Sequence, residues 1–298
     1  MMQTLNSRIC RSILSLVMSL SLMSCGSAES SHTKEESSSF TKQTVSIAGY
    51  QTQVFLPESY DSQKKYKTLV LLHGALIPNA IDFFLELFSF QNHVNQKDFI
   101  ILAPFSNNPV TLWAWNLSDI KKELDSFLDG ASQLKPSEAH TLSGESIDYD
   151  QLYLTGYSGG ARAAFMYVAQ ENPKYYMKGM VIFGGDGVGG VLVAGDHLQY
   201  SKPAYPLSLF QVHAQGDYMV PTQNGISTFK SFTSSICEEI SPESSYSNQV
   251  SLTEGLSCPE GVSTKLYHVK EVNNSLNPHA INVNAYGLVS VILQDLFR

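Results

Sequence analysis

The sequence predicts an α/β domain, a mostly parallel central sheet with helices on both faces. Three observations carry that reading. Short apolar runs alternate with longer stretches of helical pattern, and strands separated by helices mean parallel crossover connections. At 43 % hydrophobic and 11 % aromatic residues the chain can bury a substantial core, which excludes a disordered or collagen-like protein. No internal repeat breaks the series, so one domain is expected from residue 43 to residue 298.

The elements follow in order. Thr44–Ile47 and Gln51–Leu56 read as a hairpin around Gly49. The strands come next: Thr68–Leu72 (TLVLL), Phe99–Ala103 (FIILA), Gln151–Thr155 (QLYLT), Met180–Phe183 (MVIF), Leu207–Val212 (LSLFQV) and Lys265–Val269 (KLYHV). Helical stretches fall between or after them at Ala80–Asn95, Asp119–Ser132, Ala161–Glu171, Gly225–Ser234 and Ala280–Phe297. Leu134–Tyr149 and Cys237–Thr264 fit neither pattern and are expected as excursions.

Ahead of this body, Arg8 and Arg11 precede the uncharged apolar stretch Ser12–Ser24. It is shorter than the ~20 residues a membrane-spanning helix needs. A basic start, a short apolar run and small residues after it describe a secretory signal over residues 1–24. Residues 25–42 are Ser-rich, charged and nearly free of apolar side chains, a flexible tether. The formal charge is −8, and nearer −10 once Arg8 and Arg11 are discounted from 19 basic residues against 27 acidic ones. Such a chain has little to offer a phosphate backbone, so nucleic acid is excluded as a partner. Cys10 leaves with the leader and Cys25 sits at its end. Cys237 and Cys258 remain, and in an oxidising compartment one disulfide is their simplest pairing. Neither belongs to a ligand-spaced cluster, so no metal is expected.

The segment richest in chemistry is Leu152-Tyr-Leu-Thr-Gly156-Tyr157-Ser158-Gly159-Gly160-Ala161-Arg162. Gly156 and Gly160 bracket Ser158 between a strand and a helix. That is a nucleophile elbow, where glycines let strand and helix pass closely while the Ser hydroxyl stands out at the turn. In this architecture the order is Ser, then Asp or Glu, then His. His197, His213, His268 and His279 lie downstream. His268 falls inside a core strand and reads as structural. His279, after the last strand and before the last helix, is placed to bring an imidazole to the carboxyl edge of the sheet. Asp217, in the turn after Leu207–Val212, is the preferred acid over Asp186, which sits among glycines in the turn after Met180–Phe183. The oxyanion hole is expected from the backbone N–H groups of Gly159 and Ala75. His73 reads as a structural hydrogen-bonder.

At these residues the chain resembles an α/β-hydrolase, and more narrowly the polyhydroxybutyrate depolymerase-like and feruloyl esterase families. The resemblance rests on an ordered series from Gln43 to Arg298. Leu71-Leu-His-Gly74 comes first, then Trp113-Ala-Trp115-Asn116 where those families carry a Trp-rich loop, then Gly156–Gly160. His213-Ala-Gln-Gly-Asp217-Tyr-Met-Val-Pro221 resembles their His-Gly-x-x-Asp-x-x-Val-Pro block, and Cys258 and His279 fall at their late Cys and catalytic His. Ala214 stands where those families have Gly, Asn273–Pro278 lacks their Gly run, and Ala280-Ile281 replaces their Trp-Pro. Trp113, Trp115 and Tyr157 are expected as substrate contacts, the two tryptophans on alternate residues forming one wall. The alternative for large aromatics is to cap the core.

Together these readings describe an exported serine esterase with catalytic Ser158, Asp217 and His279 and no cofactor. Its partner is an ester substrate, polymeric or aryl, and its contact with a membrane is through a lipid anchor alone. A peptidase of the same fold is the nearest rival, though it would be expected to add a large selecting domain. A non-catalytic surface-binding protein is the other, and it would need none of the three catalytic groups.

Leu22-Met23-Ser24-Cys25 resembles a bacterial lipobox, with Gly26 and the polar tether following. Two or more acyl chains on Cys25 would anchor the protein stably, where one would bind only marginally. Expressed at full length with labelled palmitate, the protein is expected to take up label in the membrane fraction, and Cys25→Ser to lose it. An unlabelled, soluble wild-type product beginning at Glu29, as signal-peptidase cleavage after Ala28 would leave it, contradicts this.

Overall fold

The computed structural model describes residues 40–74, 82, 89–105, 115, 117–186, 202–217, 219–270 and 283–298, the side chains at 284 and 285 excepted. Chain contacts separate Met1–Ser37, which lies outside the described residues, from Ser38–Arg298. The predicted signal, Cys25 and most of the tether therefore fall outside what is described.

The strands are β1 (Phe40–Ile47), β2 (Tyr50–Pro57), β3 (Tyr66–Leu72), β4 (Phe99–Phe105), β5 (Ile147–Tyr157), β6 (Met177–Phe183), β7 (Ser208–Ala214), β8 (Glu239–Ile240), β9 (Ser244–Ser245), β10 (Val250–Leu256) and β11 (Thr264–Val269). The helices are α1 (Val94–Lys97), α2 (Ile120–Ser132), α3 (Gly159–Val168), α4 (Thr222–Ser234) and α5 (Leu288–Leu296). The sheet runs β1-β2-β4-β3-β5-β6-β7-β11-β10-β8, with β9 paired to β10. From β4 through β11 its neighbours are parallel, while β2 runs antiparallel to β4 and β10 to β11. All six predicted strands and the hairpin are present. The predicted class, a mostly parallel sheet with helices, is the observed one.

Side chains alternate across the sheet, and each face builds its own core. Val70, Leu72, Ile100, Leu102, Leu154 and Ile182 pack with Leu124, Phe127 and Leu128 of α2, the alanines of α3, and Phe229 and Phe232 of α4. Leu69, Leu71, Ile101, Val181, Phe183 and Val212 face the other way, onto Val94 of α1 and Leu288, Ile292 and Leu293 of α5. Burial on both faces is why the predicted strand runs are apolar almost throughout. Ile120, Leu124, Phe127, Leu128 and Ala131 of α2 are all buried, the one-face spacing of an amphipathic helix.

Several boundaries differ from the sequence expectation, and backbone conformation gives the reason. β1 starts at Phe40, so residues 40–42 of the expected tether pair with Pro57, Leu56 and Phe55. The helix expected over Ala80–Asn95 does not run through its end. Ser89 has φ 51, a left-handed turn, and the chain restarts as a 3-10 turn over Phe90–His93 followed by α1. The last helix is likewise shorter than Ala280–Phe297. A 3-10 turn covers Val283–Tyr286, Gly287 breaks it with φ 65, and α5 begins only at Leu288. Helix α3 ends at Val168, short of Glu171. The excursion Cys237–Thr264 adds β8, β9 and β10 to the sheet beyond β11. Lys265 ties this addition down, reaching Glu254 of β10 at 3.1 Å and Asp295 of α5 at 2.9 Å.

Cys237 and Cys258 are joined by a disulfide across a sequence separation of 21, fastening the end of α4 to the end of β10. A closed loop of that length stabilises the fold by about 3 kcal/mol through the unfolded chain. Reduction is expected to lower the urea midpoint accordingly. The unreduced, denatured protein should resist alkylation at both positions, and modification of both would show that the bridge does not form.

Candidate active site

The site is assembled from strand ends. The chain passes from β3 to β4 on one side and reaches β5 on the other, so the sheet order reverses at β3. The crevice beyond the carboxyl ends of the strands at such a reversal is where open α/β sheets bind ligands. Leu72 of β3 is paired with Gly156 of β5. Two residues beyond that pair on each strand stand Gly74 and Ser158.

Ser158 is half-buried, with φ 52 and ψ −115. A side-chain-bearing residue in that region of backbone space carries strain of about 1–3 kcal/mol and persists only when its surroundings over-determine it. They do so here. The Ser158 N–H donates to the Phe183 carbonyl at the end of β6 (3.1 Å), and the Ser158 carbonyl accepts from the N–H of Arg162 in the first turn of α3 (3.2 Å). The flanking glycines make the approach sterically possible. A Cβ on Gly160 would stand 1.9 Å from the Leu72 carbonyl oxygen, and one on Gly156 would stand 2.5 Å from the Gly160 oxygen. Helix α3 thus starts directly behind Ser158, and the N–H of Gly159 is among the first-turn donors that no helical carbonyl can satisfy. Its dipole favours negative charge at that end.

Asp217 lies three residues past β7 and is 4 % exposed. The backbone N–H groups of Met219 and Val220 both donate to its Oδ1 at 2.9 Å. Its Oδ2 lies 3.6 Å from Nε2 of His213, which is fully buried. That Nε2 is 2.9 Å from the Val220 carbonyl oxygen, which can only accept, so Nε2 carries the proton. The turn holds the carboxylate, and His213 holds the turn. Sequence reasoning placed His213 in a motif without giving it a task. The signal was its spacing, a His four residues before the acid at a strand end.

Asp186, the rival acid, is also buried, three residues beyond β6. The two acids differ in what adjoins them. β7 is the direct neighbour of β11, and the N–H of Gln215 donates to the carbonyl of Val269, where β11 ends (2.8 Å). The chain leaving β11 therefore starts out beside the Asp217 turn. His279, Ala75 and Trp113 lie outside the described residues.

The other nominated side chains are accounted for by packing. His73 is 3 % exposed, donates from Nδ1 to the Gly74 carbonyl (2.8 Å) and stacks on Phe105. Burial pushes its pKa down, so the imidazole is neutral and structural. Trp115 and Tyr157, expected as substrate contacts, are both buried. Trp115 is 2 % exposed, stacks on Tyr50 and donates from Nε1 to the His73 carbonyl (3.0 Å). Tyr157 is 3 % exposed and packs in the core on the opposite face. Tyr157 ends β5 and packs into one core, while Trp115, outside any strand, packs into the other. His268 lies within β11, its Nδ1 3.7 Å from Glu243, between β8 and β9. Among the described residues no cluster of His, Cys, Asp and Glu could hold a metal ion, and no helix is long and apolar enough to cross a membrane.

No protein-family model and no curated protein matches the chain. Solved structures do. A sugar hydrolase from Lactococcus lactis aligns at 14 % identity with TM-score 0.54, covering 86 % of this chain and 97 % of that one. A cold-adapted esterase from an Arctic intertidal metagenomic library aligns at 10 % identity with TM-score 0.50, covering 91 % and 100 %. Dipeptidyl peptidase 4 of Porphyromonas gingivalis aligns at 11 % identity with TM-score 0.52, covering 87 % of this chain and 35 % of its own length. These likenesses show the fold, which is the α/β-hydrolase fold.

The contrast between the two acids is testable. If Asp217 orients the base, Asp217→Asn should reduce turnover severely and Asp186→Asn only mildly, measured as kcat with each variant's folding checked by circular dichroism. The reverse order would move the acid to Asp186.

Proposed function

We propose that this chain is an exported serine esterase working through an acyl-enzyme. The observation that carries the reading is Ser158 itself, a strained non-glycine residue held at the mouth of a sheet reversal with a helix N-terminus directly behind it. Backbone strain of this kind clusters at functional sites, where the surrounding structure holds it in place.

In this reading Ser158 Oγ attacks the ester carbonyl while His279 takes its proton. The carbonyl electrons move onto oxygen, which the N–H groups of Gly159 and Ala75 receive. The intermediate collapses, the alcohol leaves with the proton from His279, and the acyl group stays on Ser158. Water, deprotonated by the same imidazole, then releases the acid. Asp217 fixes the imidazole tautomer and the direction in which it points. What supports that role is the preformed Asp217 turn beside the end of β11. The narrower likeness to polyhydroxybutyrate depolymerase-like and feruloyl esterases, the export signal and the lipid anchor at Cys25 belong to the same reading, supported by the sequence motifs.

A fluorophosphonate probe should label the protein at Ser158. Ser158→Ala should abolish labelling and lower kcat on nitrophenyl esters by at least ~10³-fold, with the fold intact. The base must be neutral imidazole, so the rate should rise with pH through ~6–7. A protein that takes no label and hydrolyses no ester from acetate to palmitate would be a binding protein instead.

A further inference from the structure

Arg162 is the single arginine between Arg11 and the C-terminal Arg298, and the other basic side chains of that span, histidines aside, are lysines. It sits on α3 four residues after Ser158, one turn behind it on the same flank, and helical side chains lean back toward the N-terminus. Contacts settle which flank this is. The Phe165 ring meets Phe232 of α4 at 6.1 Å, whereas the Tyr167 hydroxyl donates to Asp125 of α2 at 2.8 Å. At about 100° per residue Arg162 lies about 60° from Phe165 and about 140° from Tyr167, hence on the side of α4. The exit of β6 is close by, since a Cβ on Gly185 would stand 2.0 Å from that of Ala161. Gln211 of β7 bonds from Nε2 to the carbonyls of both Gly185 (3.3 Å) and Gly225 of α4 (3.0 Å). The β6 exit and the first turn of α4 are thus neighbouring walls, and Arg162 faces the interval between them.

Two of the three guanidinium nitrogens of the half-buried Arg162 lack acceptors. Its Nε and Nη1 are sealed from solvent without a hydrogen-bond partner. Burying charged donors unsatisfied is among the costliest arrangements a fold can hold. A lysine could shed its proton, but arginine cannot. Its planar donors match a carboxylate, and a carboxylate brought in by a ligand would remove the penalty.

We infer that Arg162 determines specificity by receiving a carboxylate carried on the ester substrate, so that the enzyme prefers anionic esters to neutral ones. This rests on the esterase reading and adds the substrate's charge to it. Two isosteric pairs test it through kcat/KM: monoethyl glutarate against ethyl pentanoate, with the charge on the acyl side, and 3-acetoxybenzoate against 3-methylphenyl acetate, with the charge on the alcohol side. Wild type should favour the charged member of at least one pair by about tenfold to a hundredfold, the scale of a charge-assisted hydrogen bond. In Arg162→Gln that ratio should fall at least tenfold, and Arg162→Lys should recover part of it. No charge preference in either pair of the wild type overturns the subsite, and so does a glutamine variant that lowers both members of a pair in parallel. Fluorophosphonate labelling of Ser158 is run alongside. A labelled enzyme indifferent to charge loses the subsite alone, whereas an unlabelled protein hydrolysing none of the four loses the esterase reading and the subsite with it.

Discussion

The contact that governs this site is the one between α3 and the end of β3. The Gly160 backbone lies so near the Leu72 carbonyl that a single methyl group would stand 1.9 Å from the oxygen. That proximity sets where α3 begins, and where α3 begins sets the conformation of Ser158. A relaxed backbone at Ser158 would swing the helix away from β3 and open the buried face of Ala161, Ala164 and Phe165 to water. Strain of about 1–3 kcal/mol at one residue is small against burial worth ~25 cal/mol per Å² of apolar surface over three turns of helix. Packing therefore dictates the turn, and the turn presents the hydroxyl.

The acid side of the crevice is built differently. Asp217 owes its position to hydrogen bonds rather than to packing. Gly216 takes the left-handed conformation with φ 79, turning the chain so that two successive amides converge on one carboxylate oxygen. Thr222 adds a hydroxyl bond to the Ala214 carbonyl at 2.8 Å, closing the turn where α4 starts. Backbone amides here take the place of water around a carboxylate that is almost wholly buried. One wall of the crevice is fixed by apolar volume and the other by donors.

How much of this the sequence disclosed follows from how local each cause is. The elbow was legible because glycines at fixed offsets around a Ser between strand and helix mark one geometry. The strands were legible because burial on both faces leaves apolar runs. The broken helices were not, since Ser89 adopts φ 51 against the ordinary preference of a serine and nothing beside it in sequence demands this. β10 escaped notice because Val250-Ser-Leu-Thr-Glu-Gly-Leu256 mixes polar residues and a glycine into an outer strand whose pairing with β11 is visible only in three dimensions. The role of Trp115 was hidden for a similar reason. Its partners, Tyr50 and the carbonyl of His73, lie 65 and 42 residues away in the chain.

Gln211 links the two constructions. It is fully buried in β7, in a run that is otherwise apolar apart from Ser208 and His213. A side-chain amide in such a place must find partners, and its Nε2 finds one carbonyl at the β6 exit and another in α4. The β6 exit packs on Ala161 of α3, while α4 begins directly beyond the Asp217 turn. A shift of either wall would strip a buried donor of its acceptor, so the packed wall and the hydrogen-bonded wall move together or not at all. The amide of Gln211 is thus what keeps the Ser158 turn and the Asp217 turn in register.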